Sequence, residues 1–175
     1  MRALLVLSAL LLGCDAPDPG PTTPSGEAPR AASEFRSSRV GAAIDAASAL
    51  VRTRGFAAVE SDWRGFLVEH SSDVRSVPLR SGTCYVAIAA ASDGVRDLSL
   101  RVFDSDGGEV MSDGATGPLA ALRFCPSQSG TYYVAAVASA GSGLFEVRTF
   151  RGPTGLEIRM DDVFREVAPS EPEER

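Results

Sequence analysis

Residues 83–103 read Thr-Cys-Tyr-Val-Ala-Ile-Ala-Ala-Ala-Ser-Asp-Gly-Val-Arg-Asp-Leu-Ser-Leu-Arg-Val-Phe, and they carry the plainest structural signal in the chain. Large apolar side chains recur at every second position, first at Val86 and Ile88 and again across residues 98–102. A period of two is typical of β-strands, and the Asp93-Gly94 pair between the two halves is a common turn. This region therefore predicts two β-strands joined by a short connection.

The same alternation continues on both sides of this region. It gives eight candidate strands: Trp63–Glu69, Arg75–Leu79, Thr83–Ala91, Asp97–Phe103, Glu109–Met111, Leu119–Cys125, Thr131–Ala138 and Leu144–Phe150. Their connections contain the turn residues Asp, Gly and Ser, as in Asp106-Gly107-Gly108 and Gly141-Ser142-Gly143. Seven or eight short strands with such turns predict a mainly β domain over residues 56–152, an antiparallel, jelly-roll-like β-sandwich.

A helical period precedes the strands. Apolar residues fall on one face at spacings of three and four: Val40, Ala43, Ile44, Ala47, Leu50 and Val51. The spacing predicts an amphipathic helix over residues 33–55, with Ser33 as its N-cap and Gly55 as its C-terminal stop. Because the stripe is rich in alanine and modest in size, we expect it to pack on its own domain; a partner-binding helix is the alternative.

The C-terminal extension, residues 153–175, allows two interpretations. Leu156, Ile158 and Met160 fit a further strand, whereas Met160, Val163, Phe164 and Val167 fit a short helix. Residues 168–175 are polar, and we expect them to be disordered.

The chain begins with the layout of a secretory signal. Met1-Arg2 supplies one positive charge, and residues 3–12 form an apolar run that is too short to cross a bilayer as a helix. We interpret residues 1–13 as a signal peptide. Residues 15–32 are rich in Pro, Gly and Thr and hold almost no large apolar side chain, so we expect a flexible tether.

Leu11-Leu12-Gly13-Cys14 resembles the lipobox of bacterial lipoproteins. The resemblance implies cleavage after Gly13, transfer of diacylglycerol to the Cys14 sulfur, and acylation of the new amino group. Two acyl chains are enough for stable membrane anchoring, so we expect a lipid-anchored envelope protein at a periplasmic or outer-membrane surface. Asp15 resembles a signal for inner-membrane retention in enteric bacteria, which leaves the choice of membrane open. An ordinary secretory signal followed by a chance cysteine is the alternative.

Export places the two remaining cysteines in an oxidising compartment. Cys84 and Cys125 are an even pair, far apart in sequence and without a nearby histidine. We predict a structural disulfide between them, because a redox site favours closely spaced thiols and a zinc site needs further ligands.

The orientation of these cysteines raises a question. If Phe124 faces the core, Cys125 faces away from it, whereas Cys84 shares its parity with Val86. A bulge, or a strand end imposed by Pro126, would reconcile the two orientations.

The charge balance excludes one class of partner. The formal net charge is −6, the 17 basic residues are all arginine, and they form no cluster. Neutralisation of phosphates drives nucleic-acid binding, so we exclude nucleic acid as a partner.

Five segments between residues 77 and 150 share a family pattern: Leu79–Tyr85, Asp97–Asp104, Phe124–Pro126, Ser129–Val134 and Gly143–Phe145. They resemble the bacterial pre-peptidase C-terminal domain, a secreted β-sandwich module. The two cysteines resemble a cysteine-paired variant in myxobacteria, in which a Gly-x-Cys-Tyr strand faces a Phe-Cys-Pro strand. The resemblance implies a β-sandwich but says little about function, because one fold serves many functions.

The sequence offers little for catalysis. A serine triad needs a base beside its nucleophile, and His70, the single histidine, sits in a polar stretch that we interpret as a surface loop. Ser142 lies between glycines but lacks the strand-to-helix context of a nucleophile elbow. We predict that the protein is not an enzyme and has no resident cofactor.

A calcium hypothesis concerns one turn. Asp104, Asp106 and Glu109 bracket a pair of glycines, and calcium binds clusters of carboxylate oxygens. Aspartate and glycine are also frequent in hairpin turns for conformational reasons alone, and we favour that interpretation.

Aromatic residues give a candidate binding surface. Trp63, Tyr85 and Tyr133 are its members, and packing in the core is the alternative for each of them. Tyr132 and Tyr133 are adjacent, so in a regular strand one of the two must face outward.

Together these features predict a non-catalytic, lipid-anchored envelope protein whose β-sandwich binds an envelope protein or a polysaccharide, or serves envelope structure. The alternatives are a calcium-dependent or carbohydrate-binding adhesion module, and an accessory module of a secreted hydrolase.

Overall fold

A computed structural model describes residues 39–59 and 62–165. The signal peptide, Cys14, the proline-rich tether, the first six residues of the predicted helix and residues 166–175 lie outside the described residues.

The described residues form two helices and nine strands. The helices are α1 (Arg39–Thr53) and α2 (Met160–Arg165), and the strands are β1 (Ala57–Ala58), β2 (Trp63–Leu67), β3 (Ser72–Leu79), β4 (Thr83–Ala91), β5 (Val95–Phe103), β6 (Glu109–Ser112), β7 (Leu119–Phe124), β8 (Gly130–Gly141) and β9 (Gly143–Pro153). All eight predicted strands are present with small shifts at their ends, and only β1 was not predicted. Of the two structures that fit the C-terminal extension, a strand and a short helix, the helix is the one present. Within the described ranges, no helix combines the length and the apolar character needed to cross a membrane.

The strands form two sheets in which every pair is antiparallel. The first sheet has the order β1-β9-β4-β7, and β2 also pairs with β9; the second sheet has the order β3-β8-β5-β6. These two sheets, preceded by one helix, confirm the predicted mainly β sandwich.

One apolar core lies between the sheets. Leu98, Leu100 and Val102 of β5 are fully buried there, while the residues between them are only partly covered. Side chains from the first sheet complete this core, among them Tyr85, Ala87, Ala89, Phe145 and Val147.

A second apolar core lies on the outer face of the first sheet, beneath the helices. Val86 and Ile88 of β4 lie in it with Ile44 and Val51 of α1, and all four side chains are fully buried. The predicted alternation in β4 is therefore correct, but Val86 and Ile88 face the helices and the alanines between them face the second sheet. As expected, α1 packs on its own domain.

The second core explains the orientation of the cysteines. Cys84 lies with Val86 on the helix side of β4, while Tyr85 faces the second sheet and is in register with Phe124. Cys125 follows Phe124 and turns to the helix side as well, where it forms a disulfide with Cys84. The predicted disulfide is confirmed. Of the two explanations offered for the orientations, the bulge is absent, while β7 does end at Phe124, two residues before Pro126. Neither explanation is needed, because both sides of the first sheet pack against an apolar layer.

The end of α1 is a Schellman turn. The N–H of Gly55 donates to the Arg52 carbonyl at 2.9 Å, and the N–H of Phe56 donates to the Val51 carbonyl at 3.3 Å. Gly55 has a φ of 91°, a conformation that glycine adopts without steric cost. Gly55 thus ends the helix as predicted; the proposed N-cap, Ser33, lies outside the described residues.

Candidate functional site

The chain crosses from the second sheet to the first through residues 113–118, and two aspartates hold this crossing against β5. Asp113 donates its N–H to the Leu100 carbonyl at 3.0 Å, and its Oδ1 accepts the Leu100 N–H at 2.7 Å. Further along, Oδ1 of Asp97 accepts the N–H of Gly117 at 3.4 Å. The crossing is therefore fixed at both of its ends.

A cleft of about 510 Å³ lies beside β7, between this crossing and α2. Its apolar lining includes Met111, Leu119, Met160 and Phe164, and its polar lining includes Ser112, Asp113, Arg123 and Asp161. Binding pockets commonly have volumes of roughly 300–1,000 Å³ and an apolar lining with a few polar groups. In size and lining, the β7 cleft is of that kind.

The charges in the β7 cleft are mostly acidic. Asp113 and Asp161 contribute carboxylates, and Oδ2 of Asp113 is a buried atom without a hydrogen-bond partner in the described chain. Burial raises the pKa of Asp113 above its ordinary value, and the backbone N–H groups around it offset this effect only in part. Nη2 of Arg123 donates to the Thr154 carbonyl at 3.2 Å and keeps its positive charge, so among the described residues the lining carries two carboxylates and one guanidinium.

The calcium candidates lie elsewhere, at the turn between β5 and β6. Oδ1 of Asp104 accepts the N–H groups of Asp106 at 3.0 Å and Gly108 at 2.8 Å, and Oε2 of Glu109 lies 3.4 Å from Nη1 of Arg101. Asp104 thus closes the turn, as the conformational interpretation predicts. Over the described ranges, no three His, Cys, Asp or Glu side chains are grouped as metal ligands. Calcium binding gains no support from this geometry.

The predicted aromatic binding surface is contradicted at two of its three residues, Trp63 and Tyr85. Trp63 and Tyr85 are only 8% and 9% exposed and pack in the core between the sheets, because both side chains point to the inner face of the first sheet. The Tyr85 hydroxyl accepts the Arg80 N–H at 3.1 Å. Tyr133 is exposed on β8 while Tyr132 points inward, as their adjacency predicts.

His70 and Ser142 lie in loops, as the sequence indicates. His70 is exposed and has a φ of 63°, and its backbone N–H donates to the Ala138 carbonyl at 2.8 Å. The Ser142 hydroxyl accepts the N–H of Glu69 at 2.8 Å and so joins two loops. Neither side chain lines the β7 cleft.

The β7 cleft was not predictable as a site from the sequence. Asp113 lies in a connection between two candidate strands and was given no role, and Met160 and Phe164 were predicted only as the apolar face of a short helix. The available signal was the composition of β7, Leu-Ala-Ala-Leu-Arg-Phe, which has a single charged residue. Where this strand lies in its sheet was not predictable from the chain alone.

No family model matches the chain, and no curated protein matches its sequence. Among solved structures, the chain is similar to PliG of Aeromonas hydrophila, a periplasmic lysozyme inhibitor of g-type lysozyme. That match has a TM-score of 0.44 and 9% identity, and covers 57% of this chain and 90% of PliG. The chain is also similar to the pre-peptidase C-terminal domain of a collagenase from Bacillus anthracis, with a TM-score of 0.42 and 16% identity over 51% of this chain and 87% of that domain. We draw no functional conclusion from either match.

Proposed function

We propose that the mature protein is a non-catalytic binding module, lipid-anchored at Cys14 to a membrane of the bacterial envelope, and that it holds its partner in the β7 cleft. The cleft carries this proposal, because it combines a pocket of about 510 Å³ with apolar side chains and the carboxylates of Asp113 and Asp161. Such a lining is suited to binding by shape and charge.

The location is supported by covalent features of the chain. Residues 1–14 have the layout of a lipoprotein signal, and the two cysteines beyond Cys14 are joined in a disulfide. Disulfides form and persist mainly in oxidising compartments, such as the periplasm and the cell surface. The protein would therefore act at the periplasmic or outer-membrane surface.

The chemistry of the cleft favours binding over catalysis. Its titratable groups are two aspartates and an arginine, and the single histidine of the sequence lies on a different loop. Activation of a serine or cysteine nucleophile needs a base within hydrogen-bond reach. In the part of the chain that the structure describes, no hydrogen bond joins the His70 imidazole to a hydroxyl.

Photo-crosslinking in the native host tests the site. A benzoylphenylalanine probe replaces Met111, which is 37% exposed inside the cleft, and a matched probe replaces Val74, which is 50% exposed on the opposite edge of the sandwich. We expect a discrete adduct from position 111 and none from position 74. Adding Ala115→Trp, an exposed position on the cleft wall, should abolish the adduct by filling the cleft. The same adducts from both positions, or an adduct indifferent to Ala115→Trp, would show that the partner binds elsewhere.

A further inference from the structure

Among the described residues, the backbone groups on the outer edge of β7 have no hydrogen-bond partner. The Ala91 N–H donates to the Pro118 carbonyl at 2.8 Å, and the register then continues without a shift along β4 and β7. In an antiparallel ladder, hydrogen-bonded and outward positions alternate. Leu119, Ala121 and Arg123 therefore direct their N–H and C=O groups away from β4, and all three line the cleft.

The other edges of the described sheets are protected against strand addition. β3 carries Pro78, which has no N–H, and an exposed Asp73–Arg75 ion pair. β6 is four residues long, fully exposed, and interrupted by a register shift opposite β5. At the far edge of the first sheet, β1 and β2 are two short strands that share β9. Soluble proteins commonly block edges with prolines, charges, bulges and short strands, and β7 has none of these except Arg123 at its end.

The walls of the cleft match an extended segment with a cationic side chain. Residues 119–123 extend over about 13 Å at roughly 3.3 Å per residue, a length that pairs with about five residues of a partner. Met111 and Phe164 offer apolar contacts on opposite walls, and the carboxylates of Asp113 and Asp161 offer negative charge. Because the edge lies between two walls, a single strand fits it better than the edge of a second folded sandwich.

We propose that an extended segment of a partner protein adds to β7 as a new strand of the first sheet, with apolar side chains against the walls and a lysine or arginine beside Asp113 and Asp161. This inference rests on the proposed function and adds the binding mode and the chemistry of the partner. Main-chain hydrogen bonds to Leu119, Ala121 and Arg123 would supply affinity, and the acidic groups would supply selectivity.

The chain's own C-terminal residues are the competing occupant. Residues 166–175, Glu-Val-Ala-Pro-Ser-Glu-Pro-Glu-Glu-Arg, contain four glutamates and two prolines. Like charges would oppose the two aspartates, and each proline removes a donor from the new strand pair. The charge complementarity therefore favours a cationic partner.

A displayed library of random nine-residue peptides, panned on the unlipidated mature chain carrying Cys14→Ser, tests the proposal. We expect enrichment of peptides that alternate apolar residues and carry Lys or Arg. Ala121→Pro should weaken binding of an enriched synthetic peptide at least tenfold, because it removes an outward N–H at a position where an edge strand tolerates proline. The matched control is Ser76→Pro, two residues from Pro78 on the exposed opposite edge, and it should leave binding unchanged.

Two measurements on the unaltered protein keep the test independent of how Ala121→Pro folds. Methylating alternate amide nitrogens of the peptide should abolish binding, and amide hydrogen exchange at Leu119, Ala121 and Arg123 should slow when peptide is bound. A separate test uses the double variant Asp113→Asn/Asp161→Asn. This variant should bind a cationic peptide at least tenfold more weakly than the wild type does, and a neutral peptide with little change in affinity.

Other outcomes would overturn the strand-addition proposal. These are the absence of enriched peptides and binding that is unaffected by amide methylation. A more than tenfold gain in affinity when the chain is ended at Arg165 would overturn the choice of occupant, because residues 166–175 would then occupy the edge in the intact chain. If position 111 still crosslinks a partner while no peptide binds, the cleft remains the binding site and only the strand-addition mode is rejected.

Discussion

Arg148 of β9 makes three polar contacts, two of which link the first sheet to α1. Its Nε donates to Oε1 of Glu146 at 2.7 Å, its Nη2 lies 2.7 Å from Oδ1 of Asp45, and its Nη1 donates to Oγ of Ser48 at 2.9 Å. Burial disfavours the charged guanidinium, but Glu146 and Asp45 outweigh that effect and raise the pKa of Arg148 above its ordinary value. The side chain therefore stays charged and joins strand to helix.

Replacing Arg148 should destabilise the protein strongly. In Arg148→Met the Glu146 carboxylate, 3% exposed, loses its close partner, and we expect a loss of about 3 kcal/mol in the free energy of unfolding. Urea unfolding of the variant and the wild type measures this loss. As control, Arg64→Met removes a half-exposed arginine 3.7 Å from the same carboxylate and should cost less than about 1 kcal/mol. The double variant Glu146→Met/Arg148→Met should recover most of the loss; equal effects of Arg148→Met and Arg64→Met would contradict the argument.

Asp113 should make stability depend on pH. Its pKa in the folded protein is raised above the unfolded value, so the ionised carboxylate lowers stability at neutral pH, and this loss disappears as the pH falls through the folded pKa. Between about pH 7 and about pH 4, the wild type should therefore gain stability relative to Asp113→Asn. Urea unfolding of both proteins at each pH measures the difference, in which the other titrating groups cancel. A difference that stays constant, or that changes in the opposite direction, would refute the burial of this carboxylate.

At the level of elements, the disulfide ties the edge strand β7 to its neighbour β4. The bond joins Cys84 and Cys125 across 41 positions, and closing a loop of that length stabilises by about 4 kcal/mol in the chain-entropy model. We expect the double variant Cys84→Ala/Cys125→Ala to lose up to that amount in urea unfolding. A reducing agent should lower the stability of the wild type and leave the double variant unchanged. Mass spectrometry of the unreduced wild type should find no free thiol at either position, and two alkylatable cysteines would contradict the bond.

The strands that were predictable from the sequence alternate regularly between apolar and polar side chains. Residues 95–103 bury one face only, so their alternation indicated both the strand and its inward side. The bounds of β4 were predicted correctly but its inward side was not, because its alanines pack between the sheets while Val86 and Ile88 pack under the helices. A strand buried on both faces shows no contrast between buried and exposed positions. The β7 cleft was not predictable for a related reason, since an edge is defined by strand order, and strand order depends on long-range pairing.

At the level of the whole molecule, the layers decide which surfaces of the first sheet are covered. The helices cover the outer face of the first sheet, and the second sheet covers its inner face, so backbone groups of β7 remain available only along its outer edge. The partner site and the proposed anchor then lie on different parts of the chain. Binding and anchoring should therefore be separable by mutation.

Cys14→Ser tests this separation. Each buried methylene contributes about 0.8 kcal/mol to membrane affinity, and two acyl chains are needed for stable anchoring, so removing the thiol that receives them should move the protein from the membrane fraction to the soluble fraction. The Cys84–Cys125 bond and the affinity of the β7 cleft should be unaffected, because neither depends on position 14. Fractionation with intact-mass measurement supplies the readout: the wild type should begin at Cys14 and carry the mass of its acyl groups. A wild type that keeps residues 1–13, or that is soluble with an unmodified thiol, would overturn the anchoring proposal and leave the fold and the cleft as they are.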